Sequence, residues 1–167
     1  ELAGTIANAE KVARWLQDEL EVDPADILFC ASGPSSFGTH DATRDGIKSA
    51  VIDLLATGRD QTDKLFVHLS GHGLSKKNGS DFGSAADVLL ASDFESVDIS
   101  GDKCVVLGEL ITLLSDGLGP GSHFWTVDMC RNDDRLIAPA GLGIAHLHSA
   151  AGSADWFLLL STAAGHH

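Results

Sequence analysis

Two apolar runs that each end in a chemically reactive residue constrain the fold of this chain more than any other feature. The run at 65–69 is followed by His72 within Ser-Gly-His-Gly, and the run at 123–129 is followed by Cys130. Runs of this length and composition are typical of buried parallel strands. Because open α/β sheets keep their chemistry at the carboxyl ends of their strands, adjacent strands would bring His72 beside Cys130.

The composition indicates a folded domain without a polyanionic partner. A length of 167 residues with 44% hydrophobic residues predicts one domain spanning 1–167. The net charge of −13 argues against nucleic acid or an anionic membrane surface as a partner, since phosphates are bound by clustered Lys and Arg. We find no membrane-spanning run and no signal-peptide pattern. Three cysteines without a paired spacing favour a reducing, cytoplasmic setting.

Alternating helix and strand patterns predict the layers of the fold. Apolar residues at spacings of three and four predict three helices, at 6–20, 43–58 and 107–114. Short apolar runs predict further strands, at 27–31, 88–91 and 156–160. Residues 133–154 have no firm period and are assigned a loop with a candidate short helix. The alternation predicts a mostly parallel sheet covered by helices on both faces.

His72 and Cys130 together could supply a nucleophilic site. The thiolate is the reactive form of cysteine, and a nearby imidazole generates it near neutral pH. Glycines beside His72 free the backbone, so the amide of Gly73 could join that of Cys130 in binding an oxyanion. Either residue alone is more often structural, as a buried thiol or a hydrogen-bonded histidine. The pairing and the charged neighbours of Cys130 favour catalysis.

These two motifs resemble those of the caspase-like cysteine peptidases. The motifs are Ser70-Gly71-His72-Gly73 and Asp128-Met129-Cys130-Arg131-Asn132. The Asp two places before Cys130, where caspases have Gln, is closer to the metacaspase, orthocaspase and bacterial caspase-like branch. Weaker likenesses at 2–9 and 42–44 extend the resemblance over most of the chain. The resemblance implies a caspase-like three-layer αβα sandwich around a mostly parallel sheet.

The resemblance also implies the roles of individual residues. Cys130 would be the nucleophile of a cysteine endopeptidase that forms a thioester, and His72 would be its general acid/base. The amides of Gly73 and Cys130 would form the oxyanion hole. Asp128 would lie in the S1 pocket and select a protein or peptide substrate with Arg or Lys at P1, since a buried carboxylate prefers a cation. The same pocket would be bordered by Ser70, Ser161 and Thr162.

Two departures from the family pattern change these expectations. Ala7-Asn8 stands where the metacaspase-like pattern usually has Asn-Asp, so the basic preference rests mainly on Asp128. The chain is also expected to begin after the first strand of the family fold and to end before its last. A sheet that lacks a central strand exposes backbone groups that need partners. We therefore expect a partner segment or a second subunit to complete the sheet.

Several other polar residues are candidates for regulation. Basic residues in predicted loops are candidate self-processing sites of a zymogen, namely Lys77, Arg131 and Arg135. Acidic residues at 93, 95, 98 and 102 make calcium a candidate activator on the family resemblance, although such runs are more often solvated surface. The sequence requires no cofactor. No metal site is predicted, because the histidines at 146, 148, 166 and 167 match no zinc motif.

His68 lies on the strand face shared by Ser70 and His72, and we interpret it as a core histidine rather than a second base. Two other functions stay open. One is a non-cleaving caspase-like regulatory or scaffold domain that acts by partner binding, against which the intact His72 and Cys130 argue. The other is a different cysteine hydrolase or transferase on a doubly wound sheet.

Overall fold

A computed structural model describes residues 4–58, 64–75, 87–96, 102–118, 120–129, 132–133, 142–144 and 155–161. Its helices are α1 (Thr5–Leu20), α2 (Arg44–Gly58) and α3 (Leu107–Leu118), with a short 3₁₀ turn at Pro24–Asp26. Its strands are β1 (Cys30–Ala31), β2 (His40–Asp41), β3 (Lys64–Gly71), β4 (Gly73–Ser75), β5 (Asp87–Leu90), β6 (Cys104–Val106), β7 (Ser122–Met129), β8 (Asn132–Asp133) and β9 (Asp155–Leu160). No helix in these ranges is long and apolar enough to cross a membrane.

Three parallel strands form the centre of the molecule, in the order β3-β7-β9. β3 pairs with β7 from Lys64–Ser122 to Gly71–Met129, and β7 pairs with β9 from Ser122–Asp155 to Val127–Leu160. The strands that contain the two apolar runs are therefore adjacent, which is the condition under which the sequence predicts that His72 lies beside Cys130. Beyond them lie a group in the order β6-β5-β4-β8, with two antiparallel pairs, and a short parallel pair, β1-β2. The fold is mixed α/β with a mostly parallel sheet.

Helices cover the two faces of this sheet. Leu65, Trp125 and Val127 are buried in one core with apolar residues of α2 and α3. Phe66 points to the opposite face, where the Trp15 ring of α1 packs edge-on against it at a centroid distance of 6.2 Å. Because side chains alternate between the faces of a strand, these contacts place α1 on one side and α2 with α3 on the other. The expected three-layer arrangement is confirmed.

The amino end of α2 is fixed by side chains from two parts of the chain. Thr43 caps the helix, since its Oγ1 accepts a hydrogen bond from the Gly46 N–H at 3.1 Å. Asp93 Oδ1 accepts a second bond from the Arg44 N–H at 3.0 Å. A Cβ at Gly46 would collide with the backbone oxygen of Asp41. Glycine at this position lets the helix lie against the chain that leads into it.

Two predicted elements differ in their bounds. The strand predicted at 27–31 is reduced to β1, and the Phe29 N–H just before it donates to the Thr39 Oγ1 side-chain atom at 3.1 Å rather than to another strand. The helix predicted at 107–114 continues to Leu118 through Gly117, where a Cβ would collide with the Leu55 side chain of α2. Of residues 133–154, the structure describes 133 and 142–144; the candidate short helix otherwise lies outside the described residues.

Replacement of Gly46 by alanine should lower the free energy of unfolding by about 1–3 kcal/mol, as expected for overpacking against rigid backbone. This loss outweighs the roughly 1 kcal/mol by which Ala is favoured over Gly inside a helix. Gly38→Ala is the matched control, because a Cβ there meets Ser35 atoms at ordinary distances of 3.6 and 3.7 Å. Urea denaturation measures both variants, and equal stabilities would contradict the steric argument.

Candidate active site

The carboxyl ends of β3 and β7 bring the sequence motifs to one edge of the sheet. The last paired residues are Gly71 and Met129. His72 follows directly and is exposed to solvent. Cys130 follows Met129 in the sequence and lies outside the described residues, as do Thr162, Lys77, Arg131 and Arg135. The structure therefore describes the strand ends, His72 and Asp128, but not the sulfur.

A row of polar side chains crosses the three strand ends. Ser70 is in register with Asp128, and Ser161 follows the last residue of β9. The Ser161 Oγ donates a hydrogen bond to Asp128 Oδ1 at 2.7 Å, and its N–H donates to the Val127 carbonyl at 3.0 Å. No described residue donates a hydrogen bond to Asp128 Oδ2. One carboxylate oxygen is thus held in place while the other can accept from a ligand.

Asp128 is exposed in this structure. The argument that a buried carboxylate selects a cation is therefore wrong for the described residues taken alone. An exposed ion pair contributes about 0–1 kcal/mol, because water screens it and both side chains lose freedom. Strong selection by Asp128 requires that the substrate itself, or residues outside the described ranges, exclude water from the carboxylate.

One row deeper on the same face, His68 pairs with Thr126. The His68 Nδ1 lies 2.8 Å from the Thr126 Oγ1, while the buried Nε2 has no hydrogen-bond partner among the described residues. Burial lowers the pKa of His68, and the nearby Asp128 carboxylate acts in the opposite direction. A core histidine is expected to have hydrogen-bond partners at both ring nitrogens, and His68 has one at Nδ1 alone among the described residues. Thr126 was not recognised from the sequence, although strand alternation places it on this face.

A third row, near the amino ends of the strands, consists of aromatic rings. Phe66 stacks on Phe124 at a centroid distance of 4.9 Å, and Phe124 stacks on Phe157 at 5.3 Å. The polarity of this face therefore rises from the aromatic row, through the His68–Thr126 pair, to Asp128 at the edge. A ligand that enters from the carboxyl edge meets the polar row first.

The backbone N–H of Gly73 points away from β5. The Leu90 N–H donates to the His72 carbonyl at 2.9 Å, and Gly73 is in register with Leu89 of the antiparallel β5. In such a ladder, a residue that follows a hydrogen-bonded carbonyl points its own N–H away from the partner strand. The Gly73 N–H consequently points away from β5, toward the side where β8 lies. Its role as a donor is a prediction that this orientation permits.

The two described cysteines lack the low thiol pKa that a nucleophile needs. Burial raises the pKa of the Cys30 thiol to about 11, and it also raises that of Cys104 to about 11. Cys104 has no solvent exposure. Since the thiolate is the reactive form, both groups are unreactive at neutral pH.

Of the acidic residues proposed for calcium, Asp93 has other partners. Asp93 Oδ2 lies 3.4 Å from Lys103 Nζ, while its Oδ1 holds the start of α2. Glu95 and Asp102 are exposed, and Asp98 lies outside the described residues. Within the described part of the chain, no three His, Cys, Asp or Glu side chains converge as metal ligands. Calcium activation stays a prediction.

A large cleft runs along the edge of β3 that faces away from β7. Its volume is about 1680 Å³. No described strand pairs with β3 along this edge. The segment 27–30 lies across the cleft from β3, and apolar side chains of α1 and α2 line it, among them Val12, Leu16, Val51 and Leu54.

Two comparisons with known proteins point to the same family. The family model described as "Metacaspase, peptidase C14 domain" matches residues 1–136, which include His72, Asp128 and Cys130. The chain is also 30% identical over 142 residues to Metacaspase-3 of Trypanosoma cruzi (strain CL Brener). That alignment covers 83% of this chain and 38% of the relative, so the chain spans well under half of the relative's length. No solved structure matches the chain significantly.

Alkylation by iodoacetamide at neutral pH should modify Cys130 at least about tenfold faster than Cys30 or Cys104 in the folded protein, because a thiol beside an imidazole ionises more readily than a buried one. Mass spectrometry of the three cysteine peptides after timed quenching measures the rates. Denatured protein is the control, in which the three thiols should react alike. Equal rates in the folded protein would contradict the assignment of Cys130.

Proposed function

Since the chain belongs to the metacaspase family of C14 peptidases, we propose that it is a cysteine endopeptidase that cleaves peptide bonds after Arg or Lys. The observation that carries the proposal is the parallel pairing of β3 with β7, which ends at Gly71–Met129. His72 and Cys130 each come one residue after this pair in the sequence. In a parallel ladder, residues at equal distance beyond a registered pair leave the sheet at the same edge.

In the proposed reaction, His72 accepts the proton of the Cys130 thiol, and the sulfur attacks the carbonyl carbon of the scissile bond. The resulting oxyanion accepts hydrogen bonds from the amides of Gly73 and Cys130. His72 then donates its proton to the leaving amine, which leaves a thioester on the sulfur. Water, activated by His72, hydrolyses the thioester and restores the thiol. The covalent route thus replaces the single high barrier of amide hydrolysis by two lower barriers.

The proposed preference for a basic P1 residue rests on Asp128. Ser161 orients its Oδ1, and its Oδ2 remains available for the guanidinium of Arg or the ammonium of Lys. A hydrogen bond between two charged groups is roughly twice as strong as a neutral one. An acidic P1 side chain would instead be repelled. Ser70 and Thr162 are proposed to border the same pocket.

The remaining parts of the proposal concern control of the enzyme. We propose a cytoplasmic zymogen that is processed at one or more of the basic residues, Lys77, Arg131 and Arg135. Calcium is proposed as an activator, with no other cofactor required. These points are tested when the assay below is run with and without calcium and the products are sequenced.

A library of peptides that varies only at P1 tests the reaction. The wild type should cleave Arg and Lys peptides, and Cys130→Ala should reduce kcat/KM by more than about a thousandfold, as loss of a catalytic nucleophile does. Cys30→Ala is the matched control and should retain activity, because its thiol is unreactive. A retained rate in Cys130→Ala would remove the central assignment.

The same library tests the role of Asp128. Asp128→Asn removes the charge but keeps an acceptor for the Ser161 hydroxyl, so it should lower kcat/KM for Arg peptides roughly 10–100-fold. Peptides with neutral Gln at P1 should change little. Asp155→Asn is the charge-matched control, because Asp155 is exposed at the opposite end of β9. An equal loss for Arg and Gln peptides would contradict selection by charge.

We further propose that the cleft beside β3 takes an extended, apolar segment that completes the sheet, supplied by a partner segment or a second subunit. Unpaired backbone groups along a strand of the sheet need hydrogen-bond partners. Helices lie on both faces of β3, so a segment that enters this space can reach the unpaired edge of the strand. Apolar side chains line that space, which favours Val- and Ile-rich residues.

A synthetic Val- and Ile-rich hexapeptide tests this part in hydrogen-exchange experiments. The peptide should slow exchange of β3 amides that do not bond to β7. A matched peptide with Pro at alternate positions should not, because Pro lacks the N–H group that a ladder needs. Unchanged exchange with saturating hexapeptide would contradict completion of the sheet at this edge.

A further inference from the structure

The His68–Thr126 pair lies beneath the proposed P1 pocket, and the proposed mechanism does not use it. We propose that His68 is a positioning residue for cation recognition: Asp128 binds a basic side chain more tightly when the His68 ring is uncharged. A proton on His68 and a cation on Asp128 therefore compete. This inference rests on the proposed function and adds a residue that sets how tightly the pocket holds its ligand.

The sheet register fixes the position of His68 relative to Asp128. His68 is in register with Thr126, and Asp128 lies two residues further along β7 on the same face. Two residues of a strand span about 7 Å and neighbouring strands lie about 5 Å apart, so the backbones of His68 and Asp128 are roughly 8 Å apart on the diagonal. The contact between His68 Nδ1 and the Thr126 Oγ1, at 2.8 Å, holds the ring on the face that carries Asp128. Charges at this separation in a partly buried site interact appreciably.

The cleft that His68 borders is also lined by four acidic residues outside the sheet, namely Glu21, Asp23, Asp26 and Asp53. On β3 itself, Lys64 starts the strand and His72 follows its end, each four residues away. On β9, the residue in register with Thr126 is Leu159. On α1, which packs against this face, the residues that line the cleft are apolar except for Thr5. Asp128 is the described carboxylate that most directly affects the charge of His68.

The sign of the coupling follows from burial. The Nε2 is buried without a partner among the described residues, which disfavours the protonated ring, whereas the Asp128 charge favours it. A guanidinium bound to Asp128 cancels that favourable charge and further disfavours protonation of His68. By linkage, protonation of His68 weakens guanidinium binding by the same factor. Affinity for a basic side chain should therefore fall as the pH falls.

Agmatine, a small guanidinium, probes the pocket without being cleaved. In wild-type protein, NMR titration should give a lower pKa for the His68 ring with saturating agmatine than without it. The dissociation constant of agmatine should rise roughly three- to tenfold between pH 7.5 and pH 5.5. Because the NMR experiment uses the wild type, it does not depend on a variant that folds.

Variants identify the titrating residue. His68→Asn keeps a polar atom near the position of Nδ1 for Thr126 but cannot titrate, so the part of the pH dependence due to His68 should disappear. His40→Asn is the matched control. His40 lies on β2 and its ring pairs with Asp53 of α2 at 3.4 Å, so this replacement should leave the pH dependence of agmatine binding unchanged. His72 is present in both variants, so any contribution it makes is the same in each.

The outcomes separate this inference from the proposed function. Cleavage of Arg peptides with an unchanged His68 pKa on agmatine binding overturns the inference and leaves the peptidase assignment intact. The predicted pKa change without any cleavage supports the inference and counts against the peptidase. Failure of agmatine to bind, or the same pH dependence in folded His68→Asn as in wild type, overturns the inference.

Discussion

The parallel pairing of β3 with β7 is the constraint on which the rest of the structure depends. Both strands run in one direction, so the residues that follow them leave the sheet at one edge. Because the side-chain period of a strand is two, a slip of one residue would move Asp128 to the opposite face from His68. Burial of Trp125 and Val127 under α2 and α3 prevents such a slip. A hydrophobic contact on one face thus determines which polar groups meet on the other.

That second face changes in character along the strands. Near the amino ends it carries the stacked phenylalanines, which bury apolar surface, and at the carboxyl edge it carries Asp128, which stays in water. His68 lies between these environments, and its two nitrogens reflect this: one is hydrogen-bonded and the other is not. The protonation of a group at such a boundary responds to a nearby charge more strongly than that of a fully exposed group, because water screens the interaction less there. This is why a neighbouring ligand can affect its protonation.

The features that sequence predicted well are those set by local patterns. Periodicity was sufficient for the three helices and for the strands that contain the two motifs, and Thr43 was recognisable as a cap from its position before the apolar stripe. Features that depend on distant residues were not predictable. The strand predicted at 27–31 ends short where the Phe29 N–H bonds to the Thr39 side chain, the exposure of Asp128 depends on what surrounds it, and the partner of His68 lies 58 residues away. Such pairings require the register of two strands, which no single segment specifies.

The two proposed catalytic residues come from strands that are held unequally. β7 is paired along both edges, by β3 and β9, so the strand that leads to Cys130 is fixed on either side. β3 is paired by described strands along one edge, and its other edge faces the cleft. Fewer hydrogen bonds and fewer packed neighbours make local opening less costly. His72 therefore follows the less constrained strand, whereas Asp128 belongs to the more constrained one. A segment that fills the cleft would act mainly by fixing the imidazole relative to the sulfur, which changes the rate of the chemical step, and would have less effect on recognition of the P1 side chain.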